Sequence, residues 1–178
     1  LFFIRMCTRK FLYFLLFFYS STVVGQNVDK IWPMGYACCQ YPNFGAINLE
    51  FNSGSLTIIQ VQRHMDLNTT NGSATSLSNQ LLFTSNGVYI SNALDDTMQN
   101  GSGLNPGYYT NLHRMYGLTL PQANLVLPSL TDSNQFVLFH NTIDDYFNTG
   151  ASTQFYYSII DMNLNNGLGS VISKNNIL

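Results

Sequence analysis

Four aspartates, Asp66, Asp144, Asp145 and Asp161, are the side chains in this sequence best suited by type to acid–base work. Two carboxyls held about 5–9.5 Å apart in one cleft would suit glycoside hydrolysis. His140 stands four residues before Asp144-Asp145, near enough in sequence to join them as a ligand cluster. The simpler reading puts His140 at a strand rim and the two aspartates in a solvated loop. His64 and His113 stand alone. Asp95-Asp96 ahead of Asn100-Gly101 suggests a Ca²⁺ loop, but the alternating oxygen ligands and closing glutamate of an EF-hand are missing. Cys38 and Cys39 are adjacent, with Cα atoms about 3.8 Å apart across a trans peptide, whereas a disulfide prefers about 4.4–6.8 Å. They read either as small apolar loop residues or as a vicinal or externally paired disulfide. Gly-x-Ser-x-Gly, His-Glu-x-x-His and Walker patterns are missing. Gly101-Ser-Gly103 and Gly167-Leu-Gly169 lack the third glycine of a dinucleotide site. The residues therefore nominate no catalytic, cofactor-binding or metal position, and no cofactor.

The elements that would position these groups belong to an unusually uncharged chain. Only 9% of its 178 residues are charged, against roughly 25% in ordinary soluble domains. With 46% hydrophobic and 14% aromatic residues, intrinsic disorder is excluded. Residues 1–25 read as a secretory signal peptide. Arg5, Arg9 and Lys10 precede the apolar run Phe11–Tyr19, which is followed by a small-residue exit through Val23 and Gly25. Nine apolar residues are too few to span a bilayer, which takes about 20. Past residue 25, Lys30, Arg63, Arg114 and Lys174 face nine acids, a net charge of −5. That balance argues against nucleic acid or an anionic membrane as partner, and no later run is long enough for membrane insertion. Three Asn-x-Ser/Thr triplets, at Asn68, Asn71 and Asn100, are expected to mark exposed turns.

Runs of β-branched and aromatic residues between turn clusters predict an all-β chain. The expected strands are Ala46–Phe51, Leu56–Gln62, Ala74–Ser78, Leu81–Ser85, Val88–Asn92, Ala123–Leu127, Phe136–His140 and Phe155–Met162. Asn52-Ser-Gly54, Asn71-Gly72, Asn86-Gly87, Asn100-Gly101, Asn105-Pro106 and Asn166-Gly167 are the expected turns, since Asn and Gly accept positive φ. Ser78-Asn-Gln-Leu-Leu-Phe83 returns 55 residues later as Ser133-Asn-Gln-Phe-Val-Leu-Phe139. A repeat of about 50 residues built from short strands matches propeller blades. Residues 26–178 are thus expected to form an incomplete β-propeller of two to three antiparallel blades. Because the chain stops at Asn176-Ile-Leu178 in what reads as an opening strand, the remaining blades would belong to a longer parent chain. A complete small sandwich is the alternative.

Several segments resemble a family of exported Bacteroidota surface proteins. Ile31-Trp32-x-x-Gly35 with Ile47–Gly54 resembles its opening pattern, and Ser78–Phe83 with Asn86–Asn92 resembles one of its hairpins. Met98-x-Asn-Gly101 and Thr119-x-Pro-Gln-Ala123 fit the loop and strand that follow. The most specific likeness is Tyr156–Gly169 followed by Lys174-Asn175. Cys38-Cys39 and the insertion Gln40–Phe44 depart from the pattern. The resemblance implies an N-terminal propeller-like region, often followed by immunoglobulin-like modules and a type IX secretion sorting or gliding-motility-associated domain, and it transfers no catalytic residue. The functional expectation is a non-catalytic exported or cell-surface scaffold for adhesion, with an unknown protein or glycan ligand. Tyr89, Tyr108, Tyr109, Tyr116, Tyr156 and Tyr157 would supply contact surface or pack between blades. The alternative is the front of an exported propeller-fold hydrolase acting on polysaccharide or peptide.

Overall fold

A computed structural model describes residues 30–36, 45–52 and 54–178, which leaves the expected signal peptide and Cys38-Cys39 outside the described residues. Strands β1 (Ile31–Met34), β2 (Ile47–Asn52) and β3 (Ser55–Gln60) form a three-stranded antiparallel sheet in that order. The other eight strands form one barrel-like sheet. It is made of two meanders, each antiparallel from strand to next strand. The first runs β4 (Gly72–Thr75), β5 (Leu81–Ser85), β6 (Tyr89–Asn92) and β7 (Thr97–Ser102); the second runs β8 (Asn124–Pro128), β9 (Gln135–His140), β10 (Tyr156–Asp161) and β11 (Ser170–Ile177). The last strands of the two meanders meet in parallel at Ser170 and Gln99. Their first strands also touch, where Gly72 lies against the Asn124 side chain. The sheet is therefore nearly closed.

Side-chain alternation explains which face turns inward. In β9, Phe136, Leu138 and His140 are buried, and in β10 Tyr156, Ser158 and Ile160 are. Phe83 of the first meander meets Phe136 of the second edge to face, with centroids 5.4 Å apart. Ile90, Met98 and Val171 complete a shared core. The repeated sequence occupies matching places, since Phe83 and Leu138 are both fully buried on the second strand of their meanders.

The all-β expectation holds, with one short α-helix among the described residues, α1 (Tyr108–Leu112). Two expected turns fall in strands instead. Gly72 opens β4, and Asn100-Gly101 lies inside β7, where Asn100 at φ +57° accompanies a bulge against β6. The expected hairpin at Asn86-Gly87 is present between β5 and β6. Asn86 Oδ1 accepts from the Val88 and Tyr89 amides, which organises the turn. Gly87 adopts φ +82°, and an added Cβ would sit 2.7 Å from Leu118 Cδ1. Gly87→Ala should therefore cost about 2 kcal/mol. Urea denaturation reads this directly; a loss under about 0.5 kcal/mol would mean that the turn relaxes freely.

Candidate functional site

The four aspartates weighed for acid–base chemistry are spread over three segments: Asp66 between β3 and β4, Asp144 and Asp145 between β9 and β10, and Asp161 at the end of β10. Asp161 pairs with Gln135 at one end of the β9–β10 ladder. Asp144 and Asp145 follow His140 at the other end, about 17 Å away along a six-residue strand. Their oxygens hold a loop together: Asp144 Oδ1 accepts from the Thr153 amide at 2.7 Å, and Asp145 accepts from Asn148 Nδ2 and Thr149 Oγ1. The bonds from Thr149 and Asn148 hold the Asp145 carboxyl below the usual carboxylate range. Asp161 accepts from the Asn163 amide and Gln135 Nε2. The Asp66 backbone carbonyl accepts from Asn86 Nδ2. Asp95 turns to His64, accepting from its backbone amide, with the ring nitrogen 3.4 Å away. No group of three metal-ligating side chains occurs among the described residues.

His140 sits neither at a rim nor beside Asp144-Asp145. It is fully buried between the meanders. Its Nδ1 lies 2.7 Å from Asn105 Oδ1 and its Nε2 2.8 Å from Ser158 Oγ. Asn105 Nδ2 donates to the Gly87 carbonyl, so Asn105 Oδ1 is the acceptor and His140 carries its proton on Nδ1. Ser158 then donates to Nε2 while accepting from the Asn175 amide, and Asn175 Oδ1 accepts from the Asn105 amide. Burial pushes the imidazole pKa down to about 4. Next door, Lys174 Nζ donates to the Asn100 and Ser102 carbonyls across the β7–β11 junction. His140, Lys174 and Asn175 thus serve as joints between the two meanders.

Two surface features remain. The first is an aromatic cluster where α1 meets the β9–β10 loop. The Tyr108 ring lies 4.6 Å from Phe147 and 5.2 Å from Tyr146, and all three are substantially exposed. Buried Tyr109 supports them from beneath, 5.8 Å from Tyr146, and its hydroxyl is hydrogen-bonded to Thr119 Oγ1. His113 Nδ1 lies 2.9 Å from the Tyr109 carbonyl, which ties down the end of α1. Of the six tyrosines expected to supply contact surface or to pack between blades, Tyr108 and Tyr116 are exposed, whereas Tyr109 and Tyr156 are buried.

The second feature is a cleft of about 260 Å³ between β1, β4 and β8, lined by Trp32, Met34, Asn71–Ser73 and Asn124–Val126. Strand β1 is tied along β4 by alternate side chains. Thr75 Oγ1 accepts from the Lys30 amide, Ser73 Oγ donates to the Ile31 carbonyl, and Asn71 Nδ2 donates to the Pro33 carbonyl. Two of the Asn-x-Ser/Thr triplets therefore mark fastenings between strands rather than turns, since Asn100, although exposed, likewise donates through Nδ2 to the Val171 carbonyl. Neither the cleft nor the histidine network is visible in sequence spacing. The signals that were there are the single tryptophan and the in-register alternation Phe136, Leu138, His140.

No family model, curated protein or solved structure matches the chain. Among the described residues no helix is long and apolar enough to cross a membrane.

Proposed function

We propose that this chain is an exported, non-catalytic surface module whose β-propeller-like scaffold presents an aromatic contact site for adhesion. The observation that carries the reading is the exposed cluster Tyr108, Tyr146 and Phe147, braced by buried Tyr109. Exposed aromatics on a rigid support gain contact area at little entropic cost, and such residues dominate the energetics of binding interfaces. Support for propeller blades comes from the two four-stranded meanders with the same strand order, which share one core although their last strands join in a single sheet. Support for export comes from the pattern of residues 1–25, and support for a bacterial surface location from the resemblance of Tyr156–Gly169 to the exported Bacteroidota family.

Beads coated with the chain should be retained on at least one of a panel of immobilised polysaccharides and cell-surface proteins. The double variant Tyr108→Ser, Phe147→Ser should be retained about tenfold less, since both residues stand at the surface and their loss spares the core. Absence of retention by folded protein across the panel, or equal retention of the variant, would overturn the reading.

A further inference from the structure

We infer that the cleft between β1, β4 and β8 is a binding site for a neutral saccharide, one sugar ring seated against Trp32. It is a separate site from the aromatic cluster and does not depend on it.

The lining combines Trp32, Met34, Leu125 and Val126 with Asn71, Ser73 and Asn124, and contains no charged side chain. A charged ligand there would give up hydration without an ionic partner, at a cost of several kcal/mol on the order of that for any unpaired buried charge. An uncharged ligand avoids this. The polar groups narrow the class further. Asn71 Nδ2 donates to the Pro33 carbonyl, Ser73 Oγ to the Ile31 carbonyl, and Asn124 Nδ2 to the carbonyl and hydroxyl of Ser85. With these donors turned into the protein, what the cleft has left to offer is acceptor oxygens. Asn71 Oδ1 is one of them, since the nitrogen of that side chain is the atom turned inward. The matching ligand carries several hydroxyl donors and no charge.

The apolar groups fit the same ligand. An indole presents a negative π-face to the weakly positive C–H bonds of a pyranose. Trp32 is half exposed, with Phe51 set edge-on 4.9 Å away to hold the ring in place. Met34 and Leu125 are also exposed, at 43% and 54%, and extend the apolar wall on both sides. At about 260 Å³ the space lies just under the range usual for drug-sized ligands, which suits a terminal or single residue of a glycan rather than several in a row.

Trp32 is the sole tryptophan in the chain, so its fluorescence reports on this cleft. The test titrates the full chain with methyl glucoside, methyl galactoside, methyl mannoside and N-acetylglucosamine, with glucuronate and glucosamine as charged counterparts, and measures heat in parallel. At least one neutral sugar should give a saturable change in Trp32 emission with matching heat, and its charged counterpart should bind at least tenfold more weakly. Leu125→Arg, at an exposed position, should abolish the response by placing bulk and charge in the cleft. Tyr108→Ser should leave it unchanged. The inference is overturned if no neutral sugar gives saturable heat and emission up to high millimolar concentration. It is equally overturned if charged and neutral sugars bind alike, or if Leu125→Arg binds as the wild type does.

Discussion

Lowering the pH from 7 to 4 should remove about 3 kcal/mol of folding stability through one residue, His140. Its pKa is 6.5 as a free side chain and about 4 in the fold, lowered by burial. Below pH 6.5 the unfolded chain takes up a proton that the folded chain refuses. The stabilisation is therefore complete above pH 6.5 and is lost progressively as the pH falls to 4. The geometry explains the refusal. A second ring proton, on Nε2, would point at Ser158, whose oxygen already accepts from the Asn175 amide and whose own proton would be left without its acceptor. Urea midpoints measured from pH 7 to 4 check the effect. The stability gap between wild type and His140→Gln should narrow over this window, because glutamine does not titrate. A gap that stays constant from pH 6.5 to 4 would show that the imidazole does not carry the pH dependence.

Phe83→Ala should cost about 3–5 kcal/mol, the largest effect expected of any single substitution in the chain. The ring is fully buried and lies against Phe136, so its removal opens a cavity where the two meanders meet. The surrounding strands are fixed by ladders on both sides of β5, which limits collapse into the space. Leu77→Ala, at a position 75% exposed, should change stability by under about 0.5 kcal/mol in the same urea titration. A loss below about 1.5 kcal/mol at Phe83 would mean that the two meanders do not share a fixed core.

Most of the strands were legible because burial on one face writes a period of two into the sequence. Leu81–Ser85 is found where expected, and Phe136–His140 differs by one residue. Strand β7 was hidden because Thr97-Met-Gln-Asn-Gly-Ser102 buries only Met98 and Gly101, and its Asn-Gly pair reads as a turn when it is a bulge. Strand β1 was obscured by Pro33, which is tolerated because β1 is an edge strand. Helix α1 is five residues long, too short for any periodicity to show. The candidate sites were harder to read. His140 looked like a rim residue because its partners, Asn105 and Ser158, stand 35 and 18 positions away. The cleft joins β1, β4 and β8, three segments that no local pattern connects.

The junction of β7 with β11 has a bearing on how the chain reaches this arrangement. Within each meander every strand pairs with its immediate predecessor, so each closes through local connections, the longest being residues 141–155 between β9 and β10. The junction joins Gln99 to Ser170 and Lys174 to Asn100, separations of more than 70 residues. Contacts of that span are slow to form. The two halves are expected to zip up early, with docking through Lys174, Asn175 and His140 as the late step, so that Lys174→Ala should speed unfolding more than it slows folding in stopped-flow urea jumps.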